Sequence, residues 1–546
     1  MIAGVSTLLA RGRRLLPADP WDAATLLLFA GLAVLAVATL GDYAISNDEE
    51  VQRRYGELIL EYYRSGFRDQ ALFHLRDLYL YGGLFDTVAV LTERMLPGVE
   101  PYAIRHLLCA ATGLGGIAAT VATARLVSGP RAGLIAAMVL AACGPWYGAM
   151  FNHTKDIPFA AAMAGGLFFL LRAARQLPKP RRRDVILFGV LLGAALGIRV
   201  LALLLVGYAG LAVAMRTAIA RNTTWQARLR FFSDLVVALV PAFVIAYVIM
   251  ILAWPWAGLA PLNPIRGLID FGNFHYEIRT ILGGQVYEMA TVPRWYVPAY
   301  LLIKLPLVMI VGMAAALFVL MAGWRGMPRD SRFCDIALIT VAAVFPVLCE
   351  VIQRGPAFTG LRHFLFVVPA LAALAGVGFD AMLTTLAAWR PVAARLAFAT
   401  LGVVLLWNAV QLVRLHPHQY LFYNPLVGGL AGAAERYVTD YWVNIMPEAV
   451  DQLEAYVAQL DGRGGHPQRY TVAVCGERVP FEAEANSRLE WTPDWQRAEF
   501  FIAPTHMACD RALQGRVIAN IDRLGARIGV VKDRRDILRN DIARRP

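Results

Sequence analysis

Charged residues are scarce in this sequence. Asp, Glu, Lys and Arg together make up 17% of the 546 residues, whereas hydrophobic residues make up 58%. A soluble globular domain is usually about a quarter charged, so this shortage excludes an ordinary soluble enzyme. Apolar stretches long enough to cross a bilayer recur along the chain, and they predict a polytopic helical membrane protein.

Acidic residues are outnumbered by basic ones, which leaves a formal net charge of +12. The Arg and Lys residues cluster in short segments between apolar stretches, such as residues 172–184, 216–230 and 325–332. Cytoplasmic loops of membrane proteins are enriched in such residues. The basic surplus therefore predicts an orientation in the membrane, and it argues against a nucleic-acid partner.

Cysteine is also infrequent, with six residues in the chain. Four of them lie in apolar stretches and are expected to be small buried side chains: Cys109, Cys143, Cys334 and Cys349. The other two, Cys475 and Cys509, lie in the polar C-terminal part. A disulfide between them is possible if that part is extracytoplasmic, and two unpaired thiols fit the sequence equally well.

About eleven apolar stretches predict transmembrane helices. The first covers residues 23–40, and it is too long and lacks a clear cleavage site for a removed signal peptide. The fifth and sixth are separated only by "GIRV" around Arg199, which suggests a tight helical hairpin. The stretches centre near Leu32, Gly115, Met138, Gly165, Leu191, Leu205, Ala242, Val311, Val344, Leu371 and Val404.

An odd number of spans with cytoplasmic basic loops places three segments outside the cell membrane. These are a first outer loop (41–101), a second outer loop (255–298) and a tail (416–546). The tail contains short apolar runs typical of buried strands and a segment with helical periodicity at 446–460. We therefore predict a membrane-embedded domain at 1–415 and a small extracytoplasmic, or periplasmic, α/β domain at 416–546.

The segment "SNDEEVQRRYG" follows the first apolar stretch and is rich in carboxylates. Ser46 and Glu49 fit a capping box at the start of a helix lying in the outer interface. Acidic residues in a first helical turn also complement the helix dipole. Asp48 is the acid that this explanation accounts for least, and an ionisable residue at membrane level is a candidate for function.

Several other polar residues are expected on the same outer face. They are Lys155, Asp156, Arg199, Arg362, His363, Arg105 and His106. Each one alone fits an interfacial anchor or a snorkelling side chain. Together they suit chemistry on a lipid phosphate, because cations stabilise a leaving phosphate and a carboxylate can accept the proton of an attacking hydroxyl. A sugar on a polyprenyl phosphate is the donor expected outside the cell membrane.

A series of short motifs occurs in a characteristic order between Asp48 and Trp442. They are the Asp48–Glu49 pair, "RHLL" from Arg105, "KDIPFA" from Lys155, "GIR" ending at Arg199, "LRHFLFVVPALAALAG" from Leu361, "HPHQYLFYNPLVGG" from His416 and "DYW" from Asp440. In this order they resemble the GT-C class of polyprenyl-phosphate-dependent glycosyltransferases. The branch is that of the bacterial relatives of protein O-mannosyltransferases and aminoarabinose transferases.

The resemblance implies a GT-C-like membrane domain with an active site at the outer face. It implies that Asp48 is the general base of an inverting single-displacement transfer. Residues expected near the donor phosphate are Lys155, Arg199, Arg362 and His363, and supporting residues are Glu49, Asp156, Arg105 and His106. The chain departs from the pattern at His153, Thr154 and Arg294, which leaves the identity of the donor open.

No cofactor is expected, and an obligatory divalent metal is not favoured. Asp48, Glu49, His275 and Glu277 could supply metal ligands, but their spacing is not a recognised metal signature. The resemblance to this branch likewise implies that no metal is required.

The expected function is a glycosyltransferase that moves a hexose or pentose from a polyprenyl phosphate to a hydroxyl of a lipid, glycan or protein. The expected location is the outer face of the cytoplasmic (inner) membrane. The alternatives are a transporter or flippase of a glycolipid and an assembly protein with a decayed site. Transporters tend to carry internal repeats and broken helices, which the sequence shows little of.

Overall fold

The computed structural model describes residues 17–219, 224–272, 277–326, 331–353, 358–464 and 468–543. In these ranges eight helices are long and apolar enough to cross a membrane, and the number is ten if two bent helix pairs each count as one span. The chain is therefore a multi-pass helical membrane protein with a small C-terminal sheet domain. Arg11, Arg13 and Arg14, which precede the first apolar stretch and are expected to be cytoplasmic, lie outside the described residues.

The α-helices alternate between long apolar segments and short connecting ones. In chain order they are α1 Pro20–Ala38, α2 Glu49–Arg64, α3 Leu84–Met95, α4 Pro101–Ser128, α5 Pro130–Ala141, α6 Gly144–Asn152, α7 Asp156–Arg175, α8 Arg182–Leu196, α9 Leu203–Ile219, α10 Trp225–Ala253, α11 Pro255–Leu259, α12 Asn263–Gly272, α13 Tyr296–Lys304, α14 Leu307–Gly326, α15 Ser331–Gln353, α16 Val368–Trp389, α17 Pro391–Leu415, α18 Gly429–Ala433, α19 Met446–Gly464, α20 Arg478–Glu484 and α21 Arg535–Ala543.

All eleven predicted span centres lie inside helices. The count differs because α8 has only 15 residues, fewer than the about 20 that a span needs. The predicted break between the fifth and sixth stretches is confirmed, since α8 ends at Leu196 and Arg199 precedes the short turn that leads into α9. Two further stretches are bent, by 68° between α5 and α6 and by 112° between α13 and the following helix.

Helix α16 forms the centre of the bundle. The span that contains it is 94% buried, whereas the span of α1 is 11% buried and lies at the periphery. Glycine permits the close packing of α16, because a Cβ on Gly376 would lie 2.5 Å from the carbonyl oxygen of Ala132 in α5. At the far end of the bundle from the candidate site, Arg131 and Asp380 join α5 to α16 with an ion pair of 2.7 Å.

The two outer loops carry their own short elements. In the first loop, α2 packs on α3 and buries residues at helical spacing, including Tyr55, Ile59 and Tyr62. The predicted helix in this loop is confirmed. In the second loop, strands β1 Arg279–Leu282 and β2 Gln285–Glu288 form an antiparallel hairpin. Its turn is made by Gly283 and Gly284, which adopt φ values of +62° and +87° that favour glycine.

The tail contains the predicted α/β domain. Its five strands are β3 Tyr470–Val474, β4 Leu489–Trp491, β5 Phe500–Pro504, β6 Arg516–Arg523 and β7 Ala526–Asp533. They are ordered β4-β3-β5-β7-β6, with β3 parallel to β4 and β5 and with β7 antiparallel to β5 and β6. Helix α19 covers β6 and β7. The short apolar runs of the tail predicted β3, β5 and β7, whereas β4 and β6 were not predicted.

The cysteines of the tail are joined. Cys475 at the end of β3 forms a disulfide with Cys509, which decides between the two alternatives that the sequence left open. Of the four free cysteines, three are buried as expected, while Cys349 is partly exposed. The division between the two domains at residue 415 stays a prediction. Residues between α17 and α19 pack against the membrane helices, as the contact of the segment at Gln419 with α6 illustrates.

Candidate active site

Asp48 lies at the start of α2, and its side chain is not used to cap the helix. The predicted capping box is half formed, because the Ser46 backbone N–H donates to Glu49 Oε2 at 2.7 Å. The Ser46 hydroxyl instead donates to the carbonyl of Asn152 at 3.1 Å. Asp48 is the N-cap residue by position but makes no side-chain cap bond. Its carboxylate is 39% exposed, so it is available to a ligand.

Four charged residues form a continuous chain of ion pairs that begins at Asp48. Arg362 Nη2 lies 2.6 Å from Asp48 Oδ2, and Arg362 Nε lies 2.9 Å from Asp156 Oδ2. The other oxygen of Asp156 binds Arg199. Asp48 is the most exposed member, since Arg362 and Arg199 are each 11% exposed and Asp156 only 2%. We call Asp48, Arg362, Asp156 and Arg199 the front cluster.

His363 and Arg199 leave polar atoms unused at this place. Arg199 Nη1 lies 3.5 Å from His363 Nδ1. Within the described ranges, the buried atoms Arg199 Nε and His363 Nε2 have no hydrogen-bond partner. Buried polar atoms in native proteins are almost always bonded, so these two atoms are available to a ligand or a water.

Lys155 is a further cation close to the front cluster. It is 5% exposed, and its ammonium lies 4.6 Å from the centre of the Tyr81 ring. No carboxylate in the described part of the chain lies within 4.0 Å of it. Burial lowers the pKa of Lys155 more than the nearby Asp86 raises it. With two carboxylates, two guanidiniums and this ammonium, the site has a surplus of positive charge that suits a phosphate.

Glu49, Arg105 and His106, which were predicted as supporting residues, meet in a second, fully buried cluster. Glu49 is 0% exposed and accepts from His106 at 3.2 Å, and Arg105 Nε is 4.0 Å away. Arg105 pairs with Asp86 of α3 at 2.8 Å. We call these residues the rear cluster. It joins α2, α3 and α4, so it holds the helix that carries Asp48. Glu49 is thus not merely an interfacial first-turn acid.

Gln52 links the rear cluster to the segment that carries Lys155. Its side-chain oxygen accepts from the hydroxyl of Thr154 at 2.8 Å and from Arg105 at 3.5 Å. Thr154 stands at one of the positions where the chain departs from the family pattern. Its hydroxyl therefore has a structural role here.

The segment after the last membrane helix supplies residues that the sequence analysis did not assign. Trp442 lies under Arg362, with 4.1 Å between the guanidinium carbon and the ring centre. Its indole N–H donates to His153 Nε2 at 2.9 Å, and the Tyr441 hydroxyl lies 2.8 Å from the same nitrogen. The "DYW" motif had pointed to this segment, but a motif does not reveal which side chain it contacts.

Asn444 connects the loop before Asp48 to the loop before Lys155. Its side-chain oxygen accepts from the Ala44 backbone N–H at 2.9 Å and from the Asn152 side chain at 3.2 Å. Its side-chain nitrogen donates to the Pro417 carbonyl at 3.0 Å. Asp440 holds the turn that contains Asn444, accepting from the Asn444 N–H at 2.9 Å. No sequence pattern indicated Asn444, because its partners are far away in the chain.

The residues that could have supplied metal ligands form no metal site in the described part of the chain. Within the described residues, no group of three or more His, Cys, Asp or Glu side chains could hold a metal ion. His275 lies outside the described residues, and Glu277 is exposed. The expectation that no metal is obligatory stays a prediction.

A segment of the chain is similar to a known family. Residues 95–254 match the family model described as dolichyl-phosphate-mannose-protein mannosyltransferase. The matched segment includes Arg105, Lys155 and Arg199. The match confirms, for this segment, the resemblance that the motifs indicated. No curated protein sequence matches the chain.

Three solved structures have a partly similar chain course. ArnT from Cupriavidus metallidurans, solved bound to undecaprenyl phosphate, is 18% identical and has a TM-score of 0.48, with 93% of this chain and 97% of that chain covered. The oligosaccharyltransferase AglB from Archaeoglobus fulgidus is 10% identical, with a TM-score of 0.47 and coverages of 88% and 69%. The arabinofuranosyltransferase AftD from Mycobacteria is 14% identical, with a TM-score of 0.39 and coverages of 92% and 39%.

Proposed function

We propose that the chain transfers a sugar from a polyprenyl phosphate to an acceptor hydroxyl. The observation that carries this proposal is the front cluster, in which one exposed carboxylate is tied to buried cations. Arg362 binds Asp48 with one nitrogen and Asp156 with another. A proton acceptor and a phosphate-binding group are thereby held next to each other.

Asp48 is the general base in this proposal. The exposed carboxylate accepts the proton of the acceptor hydroxyl as its oxygen attacks the anomeric carbon of the donor. The bond from that carbon to the phosphate oxygen breaks, and its electron pair leaves with the polyprenyl phosphate. A single displacement of this kind inverts the configuration of the anomeric carbon.

The leaving phosphate is stabilised by Lys155, Arg199 and Arg362, with His363 at its side. Negative charge grows on the phosphate as the sugar bond breaks, so fixed cations help most in the transition state. Two unpartnered nitrogen atoms, Arg199 Nε and His363 Nε2, give the phosphate oxygens places to bind. Asp156 orients both guanidiniums, because each of its oxygens binds one of them.

The lipid part of the donor fits an apolar cavity next to Arg199. This cavity has a volume of about 490 Å³. It begins at Leu201, two residues beyond Arg199, and it is lined by Leu204 and Leu211 of α9 and by Val341 and Phe345 of α15. Apolar cavities with a few polar groups at one end are typical of sites for amphipathic ligands. The phosphate would then lie at Arg199 and the first isoprene units in the cavity.

We infer that the donor is a lipid-phosphate-linked sugar because the matched family is described by such a donor, dolichyl-phosphate-mannose. The sugar is a hexose or pentose, and the acceptor is a lipid, glycan or protein. The short basic loops support an orientation in which the site and the tail face the periplasm, across the inner membrane. No metal or other cofactor is part of this proposal.

The test uses purified protein in detergent with a panel of short-chain polyprenyl-phosphate sugars and candidate acceptors. Release of polyprenyl phosphate and the labelled product are followed for the wild type, Asp48→Asn and Lys155→Ala. Asp42→Asn is the matched control, because Asp42 is an exposed acid of the same loop that pairs with His416 at 2.7 Å. We expect transfer by the wild type and Asp42→Asn, with a loss of about 10²–10⁴-fold in Asp48→Asn.

Two results would contradict the proposal. Transfer at the wild-type rate by Asp48→Asn would show that another group is the base. Passage of a labelled glycolipid across proteoliposomes, with no transfer from any donor, would identify a transporter or flippase instead.

A further inference from the structure

A second cavity is bordered by Arg362. It is lined by His153, Lys304, Thr359, Arg362, Tyr420 and Tyr441, together with apolar residues. Its free volume is about 20 Å³, which is room for one water-sized atom, since about 10–15 Å³ is needed for a single water. Lys155 and Arg199 are not among its lining residues, so it is distinct from the proposed phosphate position.

Lys304 is a buried cation without a matching anion. It ends α13, is 4% exposed, and donates to the Tyr420 carbonyl at 2.9 Å. The Tyr423 ring centre lies 4.0 Å from its ammonium. Among the residues that the structure describes, no carboxylate lies within 4.0 Å of this ammonium. A buried charge with no partner is strongly unfavourable, so either the amine is neutral or an anion is bound.

The lining of the cavity favours an anion. None of its lining residues is an Asp or Glu. Arg362 is a second cation there, and within the described contacts its Nη1 has no hydrogen-bond acceptor, while Nε and Nη2 hold Asp156 and Asp48. His153 adds no charge of either sign, because burial lowers its pKa to about 3 and keeps the ring neutral. Two cationic side chains therefore line this cavity, and of the two only Arg362 is paired with carboxylates, those of Asp48 and Asp156.

We propose that this cavity binds a small inorganic anion of the size of chloride, held between Lys304 and Arg362. The cavity is small, so a monatomic anion is the occupant that needs the least rearrangement of its lining. Because Arg362 also binds Asp48 at 2.6 Å, a bound anion would fix the guanidinium that orients the front cluster. The binding itself does not depend on sugar transfer, so it can be tested even if the proposed reaction is wrong.

The first experiment measures thermal unfolding of the purified protein in sodium chloride and in sodium gluconate at equal ionic strength. A ligand that binds the folded state raises the melting temperature with its concentration. We expect a saturable rise of about 1–3 °C in chloride for the wild type. The rise should vanish in Lys304→Met and persist in Lys532→Met. Lys532 is the matched control, since its ammonium bonds the carbonyl oxygens of Asp510 and Leu513.

A second measurement needs no variant and remains decisive if Lys304→Met fails to fold. Crystals of the wild type grown in bromide are expected to show an anomalous peak in the cavity beside Lys304. Equal melting in both salts, a chloride effect that survives Lys304→Met, or a cavity with no bromide peak would each overturn the proposal. Those results would mean that Lys304 is a neutral amine.

Discussion

Asp48 and Glu49 are neighbours in the chain, yet they occupy opposite environments. Asp48 is 39% exposed and pairs with Arg362, whereas Glu49 is 0% exposed and lies between Arg105 and His106. Successive residues at the start of a helix point in directions about 100° apart, so one can face a cavity while the next faces the core. An exposed carboxylate can exchange protons with a substrate, and a buried, fully surrounded one can only hold elements together.

The largest expected effect separates the two acids by activity. Asp48→Asn should lower the transfer rate by about 10²–10⁴-fold, because the amide cannot accept the proton. Its melting temperature should stay near that of the wild type, since the lost ion pair is partly exposed. Initial rates and thermal unfolding measured on one preparation check both parts. An equally large loss of stability would mean that Asp48 is as structural as Glu49.

The converse change should act mainly on stability. Glu49→Gln leaves Arg105 and His106 with less compensation in the interior, and removing one partner of a buried pair typically costs about 3–5 kcal/mol. We expect a clear fall in melting temperature in detergent. The protein that remains folded should keep a Michaelis constant for the donor close to that of the wild type. A stable Glu49→Gln protein with lost turnover would place Glu49 in the chemistry.

Lys155 provides a third case for this comparison. It is buried like Glu49, but no carboxylate of the described residues lies within 4.0 Å of its ammonium. Lys155→Met should lower kcat/KM by about 10²–10³-fold, as expected when one group that stabilises the leaving phosphate is removed. Unlike Glu49→Gln, it should not lower the melting temperature, because an uncompensated buried charge is removed. Kinetics with one donor and a melting curve test this. A destabilised Lys155→Met protein would show that the ammonium has a structural partner.

Replacing Asn444 should have a smaller effect, and it should lower both stability and kcat. Asn444→Ala leaves the Ala44 N–H unpaired and removes one of the two acceptors of the Asn152 amide, at about 1–3 kcal/mol of stability. We also expect kcat to fall about tenfold, since the loops of Asp48 and Lys155 lose their link. Asn444→Asp keeps the acceptor oxygen that binds Ala44 and Asn152 and should recover part of kcat. If the two variants lose stability with unchanged kcat, Asn444 is only structural.

The smallest effect is expected at the opposite end of the bundle. Arg125 and Asp22 pair at 2.5 Å, but Arg125 is 51% exposed. Exposed pairs contribute at most about 1 kcal/mol, so Asp22→Asn should alter neither transfer nor melting temperature measurably. It is therefore the reference variant for the other four. A marked loss of activity in Asp22→Asn would show that effects travel through the whole bundle.

The membrane part of the fold was predictable because a span leaves a strong trace in composition. All eleven predicted centres lie in helices, and the one difference is α8, whose 15 residues pack as a short helix beside Arg199. The tail was predicted less completely. Strand β4 has only three residues and β6 is mostly exposed along its length, so neither forms a continuous apolar run.

The candidate site was predictable as a set of residues but not as an arrangement. The motifs named Asp48, Asp156, Arg199 and Arg362, and these four do meet in one cluster. The division into a front and a rear cluster was not foreseen. Asp86, Gln52 and Asn444 were missed because each lies in a segment whose local pattern is ordinary, and each gains its importance from contacts made across the fold.

The sequence by itself determined that this is a multi-pass membrane protein, where its helices lie and which charged residues stand at their ends. Hydrophobic length and the positions of charges decide these features, and both are local properties of the chain. Only the tertiary structure decided that Arg362 bridges Asp48 and Asp156, that Glu49 faces the core and that no acid of the described residues lies beside Lys304. Pairing between charges depends on distances between segments hundreds of residues apart, which only the packing of the helices sets.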